Sequence, residues 1–238
     1  GRLIKSREVL TDEYLDNLYL NEDENIQKLK GLTSKTIHLM GLASDGNVHA
    51  GIDDFIKMYE YLIKIGFTKI FFHLITDGRD TDSKAAYNYI SLIEKNIQKN
   101  KVGCIASICG RYYAMDRDKN YDRTKVYYDL VTKGRGIEIL NIENALKSSY
   151  DKGITDEFLR PMMINREGTI KDGDVLIWMN YRSDRSKQIL LALTNPKFTE
   201  FDVTLMPNLE VFTFFNHDKL IKANVLINEP DINNSLGI

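Results

Sequence analysis

"KTIHLMGLASDGNVHAGIDDFIKMYEYLIKIGFTKIFFHLI", residues 35–75, decides the fold. It opens with a short apolar run, passes through a polar turn, and closes with a second apolar run. Between them, Ile52, Phe55, Ile56, Tyr59, Leu62 and Ile63 share one face of an amphipathic helix that stops at Gly66. Strand, helix, strand at this spacing predicts a right-handed crossover between two parallel strands. The pattern then repeats. "SKAAYNYISLIEKNIQKN" (83–100) reads as a helix with Ser83 as N-cap, "VGCIASIC" (102–109) as a strand, and "NYDRTKVYYDLVTKG" (120–134) as a helix ending at Gly134. Further along come a helix at 142–153, a strand "DVLIWMN" (174–180), a helix "SDRSKQILLALTN" (183–195) and a strand "LEVFTFF" (209–215). The short apolar runs suit strands covered on both faces. The expectation is an α/β fold of three αβα layers around a mainly parallel central sheet. Residues 135–173 are less regular and read as an excursion from the sheet.

Composition narrows the function classes. At 43% hydrophobic and 28% charged, the 238 residues suit a water-soluble domain with a sizeable core. A net charge of -2 provides no global field for nucleic acid or an anionic membrane, so neither is expected as a partner. No apolar run approaches the roughly 18 residues of a membrane span. The chain opens on Gly1 rather than Met, as an excerpt or a processed chain would. Cys104 and Cys109 lie five apart in one strand, about 16 Å, too far for a disulfide. Free thiols suit a reducing, cytoplasmic setting. His38, His49, His73 and His217 show no metal-ligand spacing. Of these, His38 and His73 fall inside strands and read as core residues. Asp53 and Asp54 read as solvated acids or as first-turn acids of a helix.

The chemistry gathers after the strands. Ligands of open parallel sheets sit outside the carboxyl ends of the strands. After the first strand comes "ASDGNVHAG" with Asp45 and His49; after the second, "TDGRDTD" with Asp77, Arg79 and Asp80. After the third comes "GRYYAMDRDKN" with Arg111, Asp116, Arg117 and Asp118; after "DVLIWMN" comes "YRSDR" with Arg182, Asp184 and Arg185. Five of the 11 arginines lie in three of these loops, while connections at the opposite sheet end use lysine. Arginine's planar fork matches carboxylate and phosphate bidentately. Arg182 and Arg185, three apart at the start of the expected helix, read as a phosphate clamp at a helix amino end. Taken singly, each piece is also an ordinary turn or a solvated helix face. Jointly they predict a site for a small anion, in which one acid exchanges a proton with substrate.

The segments "HLMGLASDGNVHAG", "TDGRDT", "GRYYAMDRDKNYDR" and "NYRSDRSKQI", in this order, closely resemble the cofactor-independent phosphoglycerate mutases. The resemblance extends over residues 1–238. It implies the inserted phosphotransferase, or substrate-binding, domain of a glycolytic isomerase that interconverts 3-phosphoglycerate and 2-phosphoglycerate. In that family a phosphoserine forms in a separate alkaline-phosphatase-like domain carrying two divalent metals, usually manganese. On this reading residues 1–238 are one domain that supplies no metal ligand and no cofactor site. Residues 1–20 and 222–238 are arms to the metal domain, "GRLIKS" and "NNSLGI" being its approaches, and the piece alone is inactive. The resemblance assigns His49, Arg79, Asp80, Arg111, Arg117, Arg182 and Arg185 to substrate, with Asp80 shuttling hydroxyl protons. Departures from the family pattern are Asn47 for glycine, Ala50 and Gly51 for a commoner serine-histidine pair, and Ser183 for proline. Two alternatives stay open: a non-catalytic sugar-phosphate or anion-binding module, and a self-sufficient hydrolase using Asp80 and His49.

Overall fold

The computed structural model describes residues 7–20 and 23–227. The arm segments "GRLIKS" and "NNSLGI" lie outside the described residues. Eight strands form one sheet: β1 (Ile37–Leu42), β2 (Ile70–Thr76), β3 (Cys104–Gly110), β4 (Ile137–Glu138), β5 (Met162–Met163), β6 (Val175–Trp178), β7 (Glu210–Thr213) and β8 (Asn224–Val225). Their order is β4-β5-β3-β2-β1-β6-β7-β8. The six strands from β3 to the β8 edge run parallel, and β5 pairs antiparallel with β3. The chain steps from β1 through β2 to β3 in one direction. It then returns to lay β6 on the other side of β1. β1 and β6 therefore flank the point where the winding reverses, the place where such sheets open a ligand crevice.

Among the described residues there are eight α-helices: α1 (Arg7–Asp16), α2 (Glu24–Lys30), α3 (Ile52–Ile65), α4 (Ala86–Asn100), α5 (Arg111–Ala114), α6 (Tyr121–Lys133), α7 (Ile142–Asp151) and α8 (Lys187–Thr194). Every β1 residue is buried, which fits a strand with helices on both faces. Ile37, Leu39, Phe72 and Leu74 pack with Phe55 and Leu62 of α3 and Ile90 of α4. On the other face Met40, Leu42 and Trp178 pack with Tyr127 of α6 and Leu190 of α8. The expected three-layer architecture is what forms. Gly66 and Gly134 end α3 and α6 in left-handed backbone (φ 111° and 66°), where glycine carries no Cβ penalty.

Several local expectations are corrected. Ser83 does not cap α4, which starts at Ala86; the orphan N–H of Ala86 donates instead to Asp156 Oδ2 at 2.8 Å. The excursion at 135–173 rejoins the sheet through β4 and β5. Two residues of the stretch read as an exit arm, Asn224 and Val225, form β8. Part of the opening arm is α1, which docks on α3 through Lys57 to Asp12 (3.1 Å) and Asp16 (2.8 Å). Asp54 is buried, not solvated, and accepts a short hydrogen bond from the Tyr181 hydroxyl. Cys104 and Cys109 are free thiols, as their spacing requires.

Candidate functional site

The loops after β1, β2, β3 and β6 meet at the carboxyl end of the sheet. Asp77 leaves β2 buried and gathers four donors. Its Oδ1 accepts from the backbone N–H groups of Arg79 (3.1 Å) and Asp80 (3.0 Å), and from Arg111 Nη1 (2.7 Å). Its Oδ2 accepts from the Ser44 hydroxyl at 2.7 Å. Burial works against the charge, but the Asp80 N–H, Ser44 and Arg111 together hold the Asp77 carboxyl below its ordinary range. The loop is tight for a reason. Gly78 has φ 68°, and a Cβ there would meet Glu157 N at 2.7 Å. "DGRD" is thus a turn, and also the floor of the site.

Arg111 is buried and anchors this floor. Its Nη1 also donates to Asp80 Oδ2 at 2.6 Å. His49 Nε2 lies 4.0 Å from the same oxygen. Asn47 takes left-handed backbone (φ 51°), as expected of asparagine in place of glycine, and carries the loop round to His49. The His49 imidazole is buried, its Nδ1 lacks a hydrogen bond, and burial, with Arg111 next in effect, pushes its pKa down to about 4. It is neutral at physiological pH.

Arg182 and Arg185 fall before the helix rather than on it. α8 starts at Lys187 after a turn at 184–186, so Arg182 and Arg185 stand just ahead of the helix amino end rather than in its first turn. The Ser186 hydroxyl donates back to the Arg182 carbonyl and accepts from Trp178 Nε1, which holds the turn. Arg185 Nη1 reaches the Met115 carbonyl at 2.9 Å, and Arg117 Nη1 donates to Asp184 Oδ2 at 2.9 Å. Arg79, half exposed, sits 3.5 Å from Glu157 Oε1. The arginines feel one another. Burial, then the charges of Arg111, Arg117 and Arg79, press the Arg185 pKa down. Five guanidinium groups from three loops therefore share one region with His49 and Asp80.

Two acids read with this group serve structure. Asp116 accepts from the N–H groups of Asp118 and Asn120 and from the Asn120 and Gln188 side chains, which knots the loop after β3. Asp45 accepts from the Tyr89 hydroxyl. Tyr112 packs against Tyr113 and Phe158, with Arg123 4.0 Å above its ring. His38 and His73 are buried, as their place in the strands suggests. They form a hydrogen-bonded row, Asp174–His38–His73–Ser107, that neighbouring strands alone reveal. Two side chains supporting the site escaped the sequence reading, Tyr181 and Glu157. Only their places, beside Arg182 and across from Arg79, betray them.

A parallel sheet whose strand-end loops gather five arginines about its switch point defines an α/β domain of the doubly wound class. The sequence matches the family described as "BPG-independent PGAM N-terminus" over residues 7–219, so the chain belongs to the BPG-independent phosphoglycerate mutase family, to its N-terminal part. A 2,3-bisphosphoglycerate-independent phosphoglycerate mutase from Bacteroides fragilis is 39% identical over 205 residues, covering 85% of this chain and 40% of the relative. The enzyme of that name from a Picosynechococcus species is 35% identical, covering 100% of this chain and 46% of the relative. A crystal structure of Leishmania mexicana phosphoglycerate mutase, studied at low cobalt concentration, superposes with a TM-score of 0.83 at 26% identity. It covers 90% of this chain, which spans 42% of that one. The chain thus spans less than half the length of these relatives. Among the described residues no cluster of three or more His, Cys, Asp or Glu side chains is arranged to hold a metal ion.

Proposed function

We propose that residues 1–238 form the substrate-holding domain of a cytoplasmic phosphoglycerate mutase that interconverts 3-phosphoglycerate and 2-phosphoglycerate. A partner domain, reached through the terminal arms, supplies the serine nucleophile and two divalent metals, manganese being the expected pair. The piece alone is inactive. The observation that carries the reading is the convergence of Arg79, Arg111, Arg117, Arg182 and Arg185 beside His49 and Asp80. So many cations at one crevice suit a small acid with several negative charges.

The roles follow from the surroundings. Arg117 and Arg182 are about half exposed and free to swing onto a carboxylate or phosphate. Arg185, with no ion pair among the described residues, is held beside them by the Met115 carbonyl. Arg111, whose Nη1 is shared by Asp77 and Asp80, fixes the floor and steers Asp80. Asp80 spends one oxygen on Arg111, and the other stands ready to accept a glycerate hydroxyl proton. A neutral His49 accepts from, or donates to, the same substrate. The domain thereby supplies positioning and charge neutralisation while the glycerate reorients between its two phosphorylated forms.

The test is Arg182→Ala in the full-length protein. Loss of at least about 2 kcal/mol of transition-state stabilisation is expected, read as kcat/KM for 3-phosphoglycerate. Near-normal turnover would contradict the assignment. Tight phosphate binding without any mutase activity in the full-length wild type would favour an anion-binding module instead.

A further inference from the structure

The site as it stands is closed by its own charges. Sheet order places β2 and β1 between β3 and β6. The Arg117–Asp184 ion pair joins the loop after β3 to the loop after β6, so it spans the ends of both intervening strands. Beneath that span lie His49, 4% exposed, and Arg111, 2% exposed. Asp184 is close enough to His49 for its charge to be felt at the imidazole. The same loops are clasped deeper down by Arg185 on the Met115 carbonyl and by Gln188, whose Oε1 accepts from Lys119 N–H. Those inner contacts are buried or half-buried, whereas Arg117 and Asp184 are 45% and 33% exposed and can part without unpacking the core.

Asp184 touches two of the arginines assigned to substrate. Its Oδ2 takes Arg117, and its Oδ1 lies 3.4 Å from Arg182 Nε, an ion-pair distance without hydrogen-bond geometry. Oδ1 is buried and has no hydrogen bond of its own. A carboxylate between two guanidinium groups, only half satisfied, offers them the same chemistry as an incoming carboxylate or phosphate oxygen.

We propose that Asp184 is the site's internal counter-anion, holding Arg117 from the loop after β3 and Arg182 beside it until a phosphorylated carboxylic acid takes both arginines from it. The proposal rests on the reading above and adds a residue that sets affinity rather than one that grips substrate. Displacing Asp184 opens the path to His49 and Asp80. Its return helps to expel product, so tight binding is traded for turnover.

Asp184→Asn in the full-length protein removes the competing charge and keeps the shape. Calorimetric titration with inorganic phosphate, and separately with 3-phosphoglycerate, should give affinities about five-fold or more tighter than wild type. KM should fall with them while kcat does not rise. In an Arg117→Ala background the same substitution should shift affinity less than it does in wild type, because only the Arg182 contact is left to release. Asp184→Ser provides the same reading if the asparagine variant folds poorly. Unchanged or weaker binding in both variants would overturn the proposal and leave the substrate site standing. If wild type binds neither probe, or if Arg182→Ala leaves its binding untouched, the site reading itself fails and takes this proposal with it.

Discussion

Replacing Arg111 with alanine should damage the fold as well as the site. The guanidinium is buried, and its Nη1 bridges Asp77 at 2.7 Å and Asp80 at 2.6 Å. Removing it leaves the buried Asp77 carboxylate facing a second acid with no cation between them. Breaking a buried pair from one side costs about 3–5 kcal/mol. Asp77 keeps its Ser44 hydroxyl and two backbone N–H donors, so the lower half of that range is expected. In a chain of this size each kcal/mol is worth about 2–4 °C, so melting should fall by roughly 6–16 °C. The pH dependence carries the sign. In wild type the Asp77 carboxyl is held below its unfolded value, so its stabilisation is full above that value and fades as pH falls through the folded one. Without Arg111 the folded value rises, and the variant is penalised at neutral pH and relieved by acid. Thermal melts of both proteins between about pH 7 and pH 4 should therefore show a gap that narrows on acidification. A loss below about 1 kcal/mol, or a gap independent of pH, would refute the view of Arg111 as a charged strut.

Other expectations are as direct. A Cβ on Gly110 would meet Glu157 O at 2.4 Å and Leu159 N at 2.6 Å, both backbone atoms, so Gly110→Ala should cost about 1–3 kcal/mol or more in denaturant titrations. Asp156→Ala strips the Ala86 N–H and the Tyr150 hydroxyl of their acceptor, and about 2 kcal/mol or more should go with it. Burial pushes Asp54 up to about 6 despite its bond from Tyr181, so this group costs stability above that pH and is relieved as pH falls through it. Asp54→Asn should accordingly compare better with wild type at about pH 8 than at about pH 5 in melting experiments.

The legible part of this fold was the part written in local periodicity. Ile52, Phe55, Tyr59 and Leu62 announce α3, and the runs around Leu39 and Phe72 announce β1 and β2, because helix and strand periods act within a few residues. β4, β5 and β8 are two residues long, too short to carry a period. The α4 cap was misread because its acceptor, Asp156, is 70 residues away. Around Arg182 and Arg185 only the helix start moves, because the Ser186 N–H closes a turn on the Ser183 carbonyl before α8 begins at Lys187. Position along the strands was enough to gather His49, Asp80 and the arginines at one end of the sheet. Which acid sits on which arginine was not legible. Arg111 and Asp77 are 34 residues apart, Arg117 and Asp184 are 67 apart, and only the strand order brings them together.

The most direct measurement follows the arginine Nε–H and His49 ring signals by NMR while 3-phosphoglycerate is added to the full-length protein. Shifts concentrated on Arg79, Arg111, Arg117, Arg182, Arg185 and His49, all saturating at one affinity, are the expected result. Saturating shifts confined to the far edge of the sheet, around Thr194 and Lys222, with these six groups unmoved, would contradict the account.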